Sequence, residues 1–88
     1  MVDEYFIHQQ VNKETPIPLY YQIKEILLGF IKNNDMGSVI PTETELCNLY
    51  GVSRPTVRQA MRELEVSGLI YRQKAKGSFV GEPKVDQE

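Results

Sequence analysis

Apolar residues recur at intervals of three and four positions along three stretches of the chain, which is the period of an amphipathic α-helix. The stretches cover residues 19–32, 42–50 and 53–67. In the third stretch, which has the clearest period, the apolar positions are Val57, Ala60, Met61 and Leu64. The pattern therefore predicts three helices, each with one face in a shared core.

Residues at the ends of the second and third stretches indicate where these two helices begin and end. Thr42 and Glu45 have the spacing of a capping box, and Gly51 stands where a left-handed residue ends a helix. Ser53 can cap the next helix, with Pro55 in its first turn, where a missing N–H is harmless. Two helices joined by a short turn that includes a glycine describe a helix-turn-helix.

The period changes after the third helix. Residues 69–72 and 78–80 are short β-prone runs, and the five residues 73–77 between them end in glycine, which suits a hairpin loop. A hairpin that directly follows a helix-turn-helix forms the wing of a winged helix. The predicted fold is therefore mainly α with a small β-hairpin (α+β): a winged helix-turn-helix of three helices and a two-stranded wing.

The remaining segments predict how the chain is divided. Residues 1–15 have no sustained period and indicate a mobile or loosely packed N-terminal arm. The winged domain would cover residues 16–81, and the polar residues 82–88 indicate an interdomain linker or the end of a fragment. A length of 88 residues allows one small domain, and no apolar run is long enough to cross a membrane, so no membrane association is expected.

The charged residues are unevenly distributed, which a formal net charge of −2 conceals. Residues 1–53 carry three Lys and seven Asp or Glu, a charge of −4. Residues 54–76 carry six Arg or Lys and two Glu, a charge of +4, and residues 77–88 add −2. A basic segment in an acidic chain predicts a face that attracts a polyanion, although a solvated charged helix would give the same count.

Few residues could support catalysis or bind a metal ion. A single Cys and a single His exclude the common zinc sites, and Cys47 is better explained as a small core residue than as a nucleophile. Glu43 and Glu45 have a structural explanation as acids in the first turn of a capped helix. We therefore predict a protein that is not an enzyme, with no cofactor and no bound metal.

Cationic and amide side chains follow one side of the third helix. Arg54, Arg58 and Arg62 stand four residues apart and form one ridge, with Gln59 beside it. In the major groove of DNA, Arg can pair with guanine and Gln with adenine. Long donors near the beginning of such a helix therefore suit the reading of a DNA sequence.

The loop of the predicted wing is basic as well, with Lys74 and Lys76. A basic tip beside a basic helix can straddle the DNA backbone and enter the adjoining minor groove. Together the two elements predict sequence-specific binding of double-stranded DNA. The alternative is a winged-helix module that binds protein, which predicts little salt-dependent DNA affinity and an exposed apolar groove in place of the arginine ridge.

A family resemblance is carried by five segments: PLYYQI at 18–23, IPTE at 40–43, YGVSRPTVRQA at 50–60, GLI at 68–70 and GSFV at 77–80. They resemble the N-terminal domain of the GntR family of bacterial transcription regulators, over about residues 16–81. The residues of these segments are most similar to those of the HutC branch, whose members carry a ligand-binding domain after the linker.

The resemblance implies the setting in which the domain works. A full-length member would be a cytoplasmic homodimer on a pseudo-palindromic operator. It would act as a ligand-responsive repressor, with a small-molecule effector bound by a C-terminal domain that is absent from this sequence.

The resemblance also implies which residues contact DNA. It puts Arg54, Thr56 and Arg58 on DNA at the start of the recognition helix, and the wing contact on residues 74–77. With the neighbouring hydroxyl and amide groups, the predicted DNA-contact residues are Thr42, Thr44, Ser53, Arg54, Thr56, Arg58, Gln59, Arg62, Lys74, Ala75, Lys76 and Gly77.

Two of these residues depart from the family pattern. A basic residue that touches phosphate often occupies the position of Thr44, so that contact is weakened or lost here. Ala75 stands where the wing usually has its first glycine, which changes how closely the backbone can approach the groove floor. Lys74 and Lys76 could compensate for both changes electrostatically.

Overall fold

The computed structural model describes residues 2–81, which form four helices and three strands. The helices are α1 (Glu4–Ile7), α2 (Leu19–Lys32), α3 (Glu43–Tyr50) and α4 (Arg54–Val66). The strands are β1 (Val39–Ile40), β2 (Ile70–Gln73) and β3 (Gly77–Val80). The α+β winged helix-turn-helix is confirmed, but with one more helix and one more strand than the sequence predicts.

The ends of α3 and the start of α4 lie where the sequence predicts, because the capping residues make the expected hydrogen bonds. Oγ1 of Thr42 accepts from the Glu45 amide at 3.1 Å, and Oε1 of Glu45 accepts from the Thr42 amide at 2.9 Å. Gly51 ends α3 with a φ of 63°, and Ser53 caps α4, with Pro55 in the first turn. These caps define the short turn between the two helices.

The core forms where α2 and α3 pack against α4. The apolar face predicted for α4 is confirmed, because its buried residues are Val57, Ala60, Met61 and Leu64. The residues that α2 buries are Ile23, Ile26, Leu27, Phe30 and Ile31. The arginines of α4 are left on its opposite, exposed face.

The predicted two-stranded hairpin is present as β2 and β3, but the sheet has a third strand, β1, that the sequence did not predict. The strand order is β1-β3-β2 with both pairs antiparallel, so that Val39 and Tyr71 lie on either side of Phe79. β1 has two residues, too few for an alternating pattern, and its partner is distant in the sequence. It fastens the base of the wing to the segment that follows α2.

The wing loop is also shorter than the predicted five residues. Gln73 and Gly77 pair across the hairpin, which leaves residues 74–76 at the tip. The amide of Lys76 donates to the Gln73 carbonyl at 3.0 Å and closes the turn. Gln73 has no β-prone side chain, so only the cross-strand pairing reveals that it belongs to β2.

The N-terminal segment packs on the core, so the prediction of a mobile or loosely packed arm over residues 1–15 is wrong for α1. Phe6 is fully buried, and its ring centroid lies 4.7 Å from that of Phe30. Oη of Tyr50 donates to the Phe6 carbonyl at 2.8 Å. A helix of four residues is too short to show a period in the sequence.

The segment between α1 and α2 is held by Gln22 and by a contact to the helix-turn-helix. Nε2 of Gln22 donates to the carbonyls of Asn12 and Ile17, both at 2.9 Å. Oε1 of Gln22 accepts from the Asn12 amide at 2.8 Å. Nζ of Lys13 donates to the carbonyl of Gly51 at 2.6 Å, so this segment reaches the turn before α4.

The predicted linker, residues 82–88, lies outside the described residues. Within residues 2–81, no helix is long and apolar enough to span a membrane. The division of the chain at residues 15 and 81 stays a prediction.

Candidate nucleic-acid interface

One open groove on the surface is shared by the start of α3, the start of α4 and the wing. Six of the residues predicted to contact DNA line it: Thr42, Thr44, Arg54, Lys74, Ala75 and Gly77. The fold therefore brings together positions that the sequence analysis assigned from separate motifs.

The first turn of α4 presents hydroxyl groups and a helix N-terminus. Oγ of Ser53 accepts from the Thr56 amide at 3.4 Å and lies 2.9 Å from Oγ1 of Thr56. Ser53 is exposed, and Arg54 is the first residue of the helix. The positive end of the α4 dipole stands beside these donors, an arrangement that attracts phosphate.

The guanidinium groups of Arg54 and Arg58 converge on α3. Nη2 of Arg54 donates to Oγ1 of Thr44 at 3.2 Å. Oε1 of Glu43 lies 3.7 Å from Nη1 of Arg54 and 3.5 Å from Nη2 of Arg58. Both arginine side chains remain about half exposed, so they keep donors for a ligand.

Gln59 and Arg62 lie further along the exposed face of α4. Together with Arg58 they line a second groove. Nε2 of Gln59 donates to Oε2 of Glu63 at 3.5 Å. The ridge predicted for Arg54, Arg58 and Arg62 is thus divided, with its first member at the wing groove and its last at the second groove.

The wing tip exposes Lys74, Ala75 and Lys76. Ala75 has a φ of 67° and Gly77 a φ of 112°. An L-residue in the left-handed region costs roughly 1–2 kcal/mol, which glycine avoids. The alanine that departs from the family pattern therefore occupies a backbone conformation that suits glycine.

Two residues of this surface, Glu43 and Arg72, form ion pairs that the sequence did not predict. The sequence identifies Glu43 only as an acid in the first turn of α3, and Arg72 only as one charge of the basic segment. In the structure Nη2 of Arg72 lies 3.0 Å from Oε2 of Glu65 and 3.8 Å from Oε2 of Glu43. These contacts join α3, α4 and β2, so no local pattern could have revealed them.

Groups that hold the helices together have raised pKa values. Burial raises the pKa of Tyr50 to about 12, with a smaller contribution from the nearby Tyr5. Burial also raises the pKa of Tyr5, whose Oη donates to the Ile26 carbonyl at 2.7 Å. The hydrogen bond from Lys24 to Glu63, 3.0 Å long, raises the pKa of Lys24 and links α2 to α4.

Comparison with known proteins identifies the family. Residues 19–80 match the sequence profile of the family described as bacterial regulatory proteins, gntR family. The chain belongs to this family. It is 47% identical over 79 residues to the HTH-type transcriptional repressor NagR of Bacillus subtilis (strain 168), covering 88% of this chain and 32% of NagR.

A second relative supports the predicted resemblance to the HutC branch. The histidine utilization repressor of Pseudomonas putida is 41% identical over 73 residues, covering 81% of this chain and 29% of the repressor. The chain thus spans about a third of the length of these curated relatives. The predicted GntR resemblance and its HutC-like character are confirmed.

A solved structure of a similar domain contains DNA. The AraR DNA-binding domain in complex with operator ORX1 has a TM-score of 0.73 and 34% identity, covering 84% of this chain and 100% of that one. The chain is therefore a DNA-binding domain of a transcription regulator. Arg54 and Arg58 occupy the face where the protein-binding alternative predicted an apolar groove.

Proposed function

We propose that this domain binds its operator with α4 in the major groove, the start of α3 against the backbone and the wing in the adjoining minor groove. The observation that carries this proposal is the groove shared by α3, α4 and the wing, which gathers hydroxyl, guanidinium and ammonium donors. Such donors pair with phosphate oxygens and with base edges.

The proposal divides the predicted residues by the DNA groups that they suit. Base readout falls to the planar side chains, which can make two hydrogen bonds to one base: Arg54, Arg58 and Gln59. Backbone contacts fall to the short hydroxyls and to the last arginine of the ridge: Thr42, Thr44, Ser53, Thr56 and Arg62. The wing contact falls to the tip and the residue after it: Lys74, Ala75, Lys76 and Gly77.

For the longer protein we propose a homodimer on a pseudo-palindromic operator with half-sites about one helical turn apart. The names of the relatives, a repressor NagR and a histidine utilization repressor, support a repressor. Its operator affinity would respond to a small molecule bound by a domain beyond this chain. Since bacterial operators lie in the cytoplasm, the protein would act there.

Substitution of the recognition arginines tests the proposal. Duplexes selected from random DNA by the unaltered domain supply the operator sequence. Arg54→Ala and Arg58→Ala should then each weaken operator binding by about 1–3 kcal/mol and relax the base preference at one position, because a base contact is lost. Fluorescence anisotropy with labelled duplexes measures the affinity.

Lys32→Ala is the matched control, since it removes an exposed cation at the end of α2, outside the groove. This variant should bind the operator as the unaltered domain does. Unchanged affinity in both arginine variants, or an equal loss in Lys32→Ala, would contradict the assignment of α4 as the reading helix.

A further inference from the structure

Arg72 connects the wing to both helices of the helix-turn-helix. It lies on β2 next to Gln73, the last residue before the loop that carries the wing lysines, and pairs across the hairpin with Ser78. Its Nη2 atom lies 3.0 Å from Oε2 of Glu65 on α4 and 3.8 Å from Oε2 of Glu43 on α3. One guanidinium group therefore bridges three elements.

The Glu65 end of this bridge is enclosed. Oε2 of Glu65 is screened from solvent and accepts no hydrogen bond within the described part of the chain. The charge of Arg72 at 3.0 Å balances it. A shielded carboxylate oxygen without a nearby cation is unfavourable, so this contact holds the Arg72 guanidinium group toward the helices, although the side chain stays about half exposed.

The Glu43 end of the bridge is shared with the recognition helix. The same carboxylate contacts Arg54 and Arg58, and its side chain is only 19% exposed. Three guanidinium groups, two on α4 and one on β2, thus surround one carboxylate. The Glu43 carboxylate therefore helps to orient both the wing and the side chains of Arg54 and Arg58.

Few apolar contacts hold the outer part of β2 against the helices. On β2 only Ile70 is buried, and the three residues after it are exposed. The rings of Tyr71 and Phe79, with centroids 5.5 Å apart, pack within the wing itself. The ion pairs of Arg72 therefore tie the outer half of β2 to α3 and α4, in addition to the pairing of β3 with β1 at the base of the wing.

We propose that Arg72 is a positioning residue that fixes the wing against the helix-turn-helix through Glu65 and Glu43. In this position Lys74 and Lys76 reach the DNA backbone while Arg54 and Arg58 occupy the major groove. The inference rests on the proposed wing contact and adds the residue that aims it. It also removes Arg72 from the cations that bind phosphate directly.

Neutralising either partner separates this role from a direct phosphate contact. If Arg72 aims the wing, Arg72→Gln and Glu65→Gln should both weaken operator binding, each by about three- to tenfold, since each breaks the same bridge. Arg72→Lys should bind the operator better than Arg72→Gln, because a lysine can keep the ion pair with Glu65, the nearer of the two carboxylates. Higher affinity in Glu65→Gln would overturn the proposal, because it would mean that Glu65 only competes with DNA for Arg72.

Glu25→Gln is the control for charge, because it removes an exposed acid on α2 that lies outside the cluster. This variant should keep its operator affinity within about twofold. A loss in Glu25→Gln as large as that in Glu65→Gln would overturn the proposal, since any lost acid would then have the same effect.

A double-mutant cycle measures the coupling between Arg72 and the wing lysines in operator affinity, and no such coupling is expected if Arg72 only stabilises the fold. Arg72→Gln should cost much less affinity when Lys74→Ala and Lys76→Ala are already present, and the salt slopes of the two backgrounds should converge. Additive losses would overturn the proposal, since Arg72 would then act independently of the wing.

The free domain tests the bridge apart from DNA. In Arg72→Gln, NMR order parameters of the amides at residues 74–77 should fall, while those of α4 stay unchanged. Unchanged wing order parameters would overturn the proposal. If the order parameters fall but Lys74→Ala and Lys76→Ala leave operator binding and its salt slope unaltered, the bridge stands and the proposed wing contact with DNA fails.

Discussion

Ala75 occupies a left-handed backbone conformation at the wing tip, between the two lysines proposed to meet DNA. The Cβ methyl group makes this backbone conformation less favourable in free energy than it would be for a glycine. Gly77 has a positive φ as well, with open space around the position of a Cβ atom, so backbone conformation rather than crowding favours glycine there. The φ of Gly77, 112°, lies further from the left-handed region that L-residues reach than the 67° of Ala75.

Ala75→Gly should raise the free energy of unfolding by about 0.5 kcal/mol, because relief of the left-handed alanine exceeds the added entropy of the unfolded chain. Gly77→Ala should lower it by at least about 1 kcal/mol, since an alanine at a φ of 112° lies beyond the left-handed region of L-residues. Urea unfolding, at an unchanged m-value, measures both. A less stable Ala75→Gly domain would contradict the strain assigned to this residue.

At the scale of residues, the sequence was sufficient wherever a side chain acts within its own turn. The Thr42–Glu45 capping box and the Ser53 cap are local patterns, and the structure has both. The contacts of Glu43 were out of reach, because its three arginine partners come from α4 and β2. In the sequence, a glutamate that only stabilises the first turn of a helix looks the same as one that pairs with several arginines.

At the scale of elements, α1 and β1 mark the limit of prediction. Both span only about one period of a hydrophobic pattern, so no repeat can be seen, and a four-residue helix is not stable in isolation. Phe6 makes α1 stable by packing into the core, and the Tyr50 hydroxyl anchors its carbonyl. Tertiary contacts therefore create these two elements, whereas α2, α3 and α4 follow from periodicity and caps.

The anchor between α3 and α1 predicts a dependence of stability on pH. Since burial raises the pKa of Tyr50 from 10.0 to about 12, the folded state holds this proton more tightly than the unfolded state. Its contribution is fully present below pH 10 and declines as the pH rises toward 12. Tyr5 and Lys24, whose pKa values are also raised, add to the decline with the same sign.

Tyr50→Phe should therefore lose less stability than the unaltered domain between about pH 8 and about pH 11, because the phenylalanine cannot ionise. Near neutral pH the variant should already be about 1 kcal/mol less stable, since the hydrogen bond to Phe6 is gone. Urea titrations at the two pH values measure both effects. An identical decline in the two proteins would show that Tyr50 is not the group involved.

At the scale of the whole molecule, the net charge of −2 hides a division of labour. The basic segment 54–76 contains α4 and the wing tip, and the acidic remainder shares the core with it. Within the basic segment Arg72 is engaged by two carboxylates, which leaves fewer cations for DNA than the count suggests. We expect an acidic surround of this kind to limit the affinity for nonspecific DNA and to leave more of the discrimination to base contacts.

We propose that α4 reads bases while the wing anchors the backbone. Titration of the selected operator and of a scrambled duplex over a range of salt concentrations, with two variants, separates these two roles. Arg58→Ala should lower the ratio of specific to nonspecific affinity by about tenfold and leave the salt slope nearly unchanged. Lys74→Ala with Lys76→Ala should keep that ratio and reduce the slope by about 0.9 for each lost phosphate contact. If both variants changed the ratio and the slope alike, the division between reading helix and anchoring wing would be wrong.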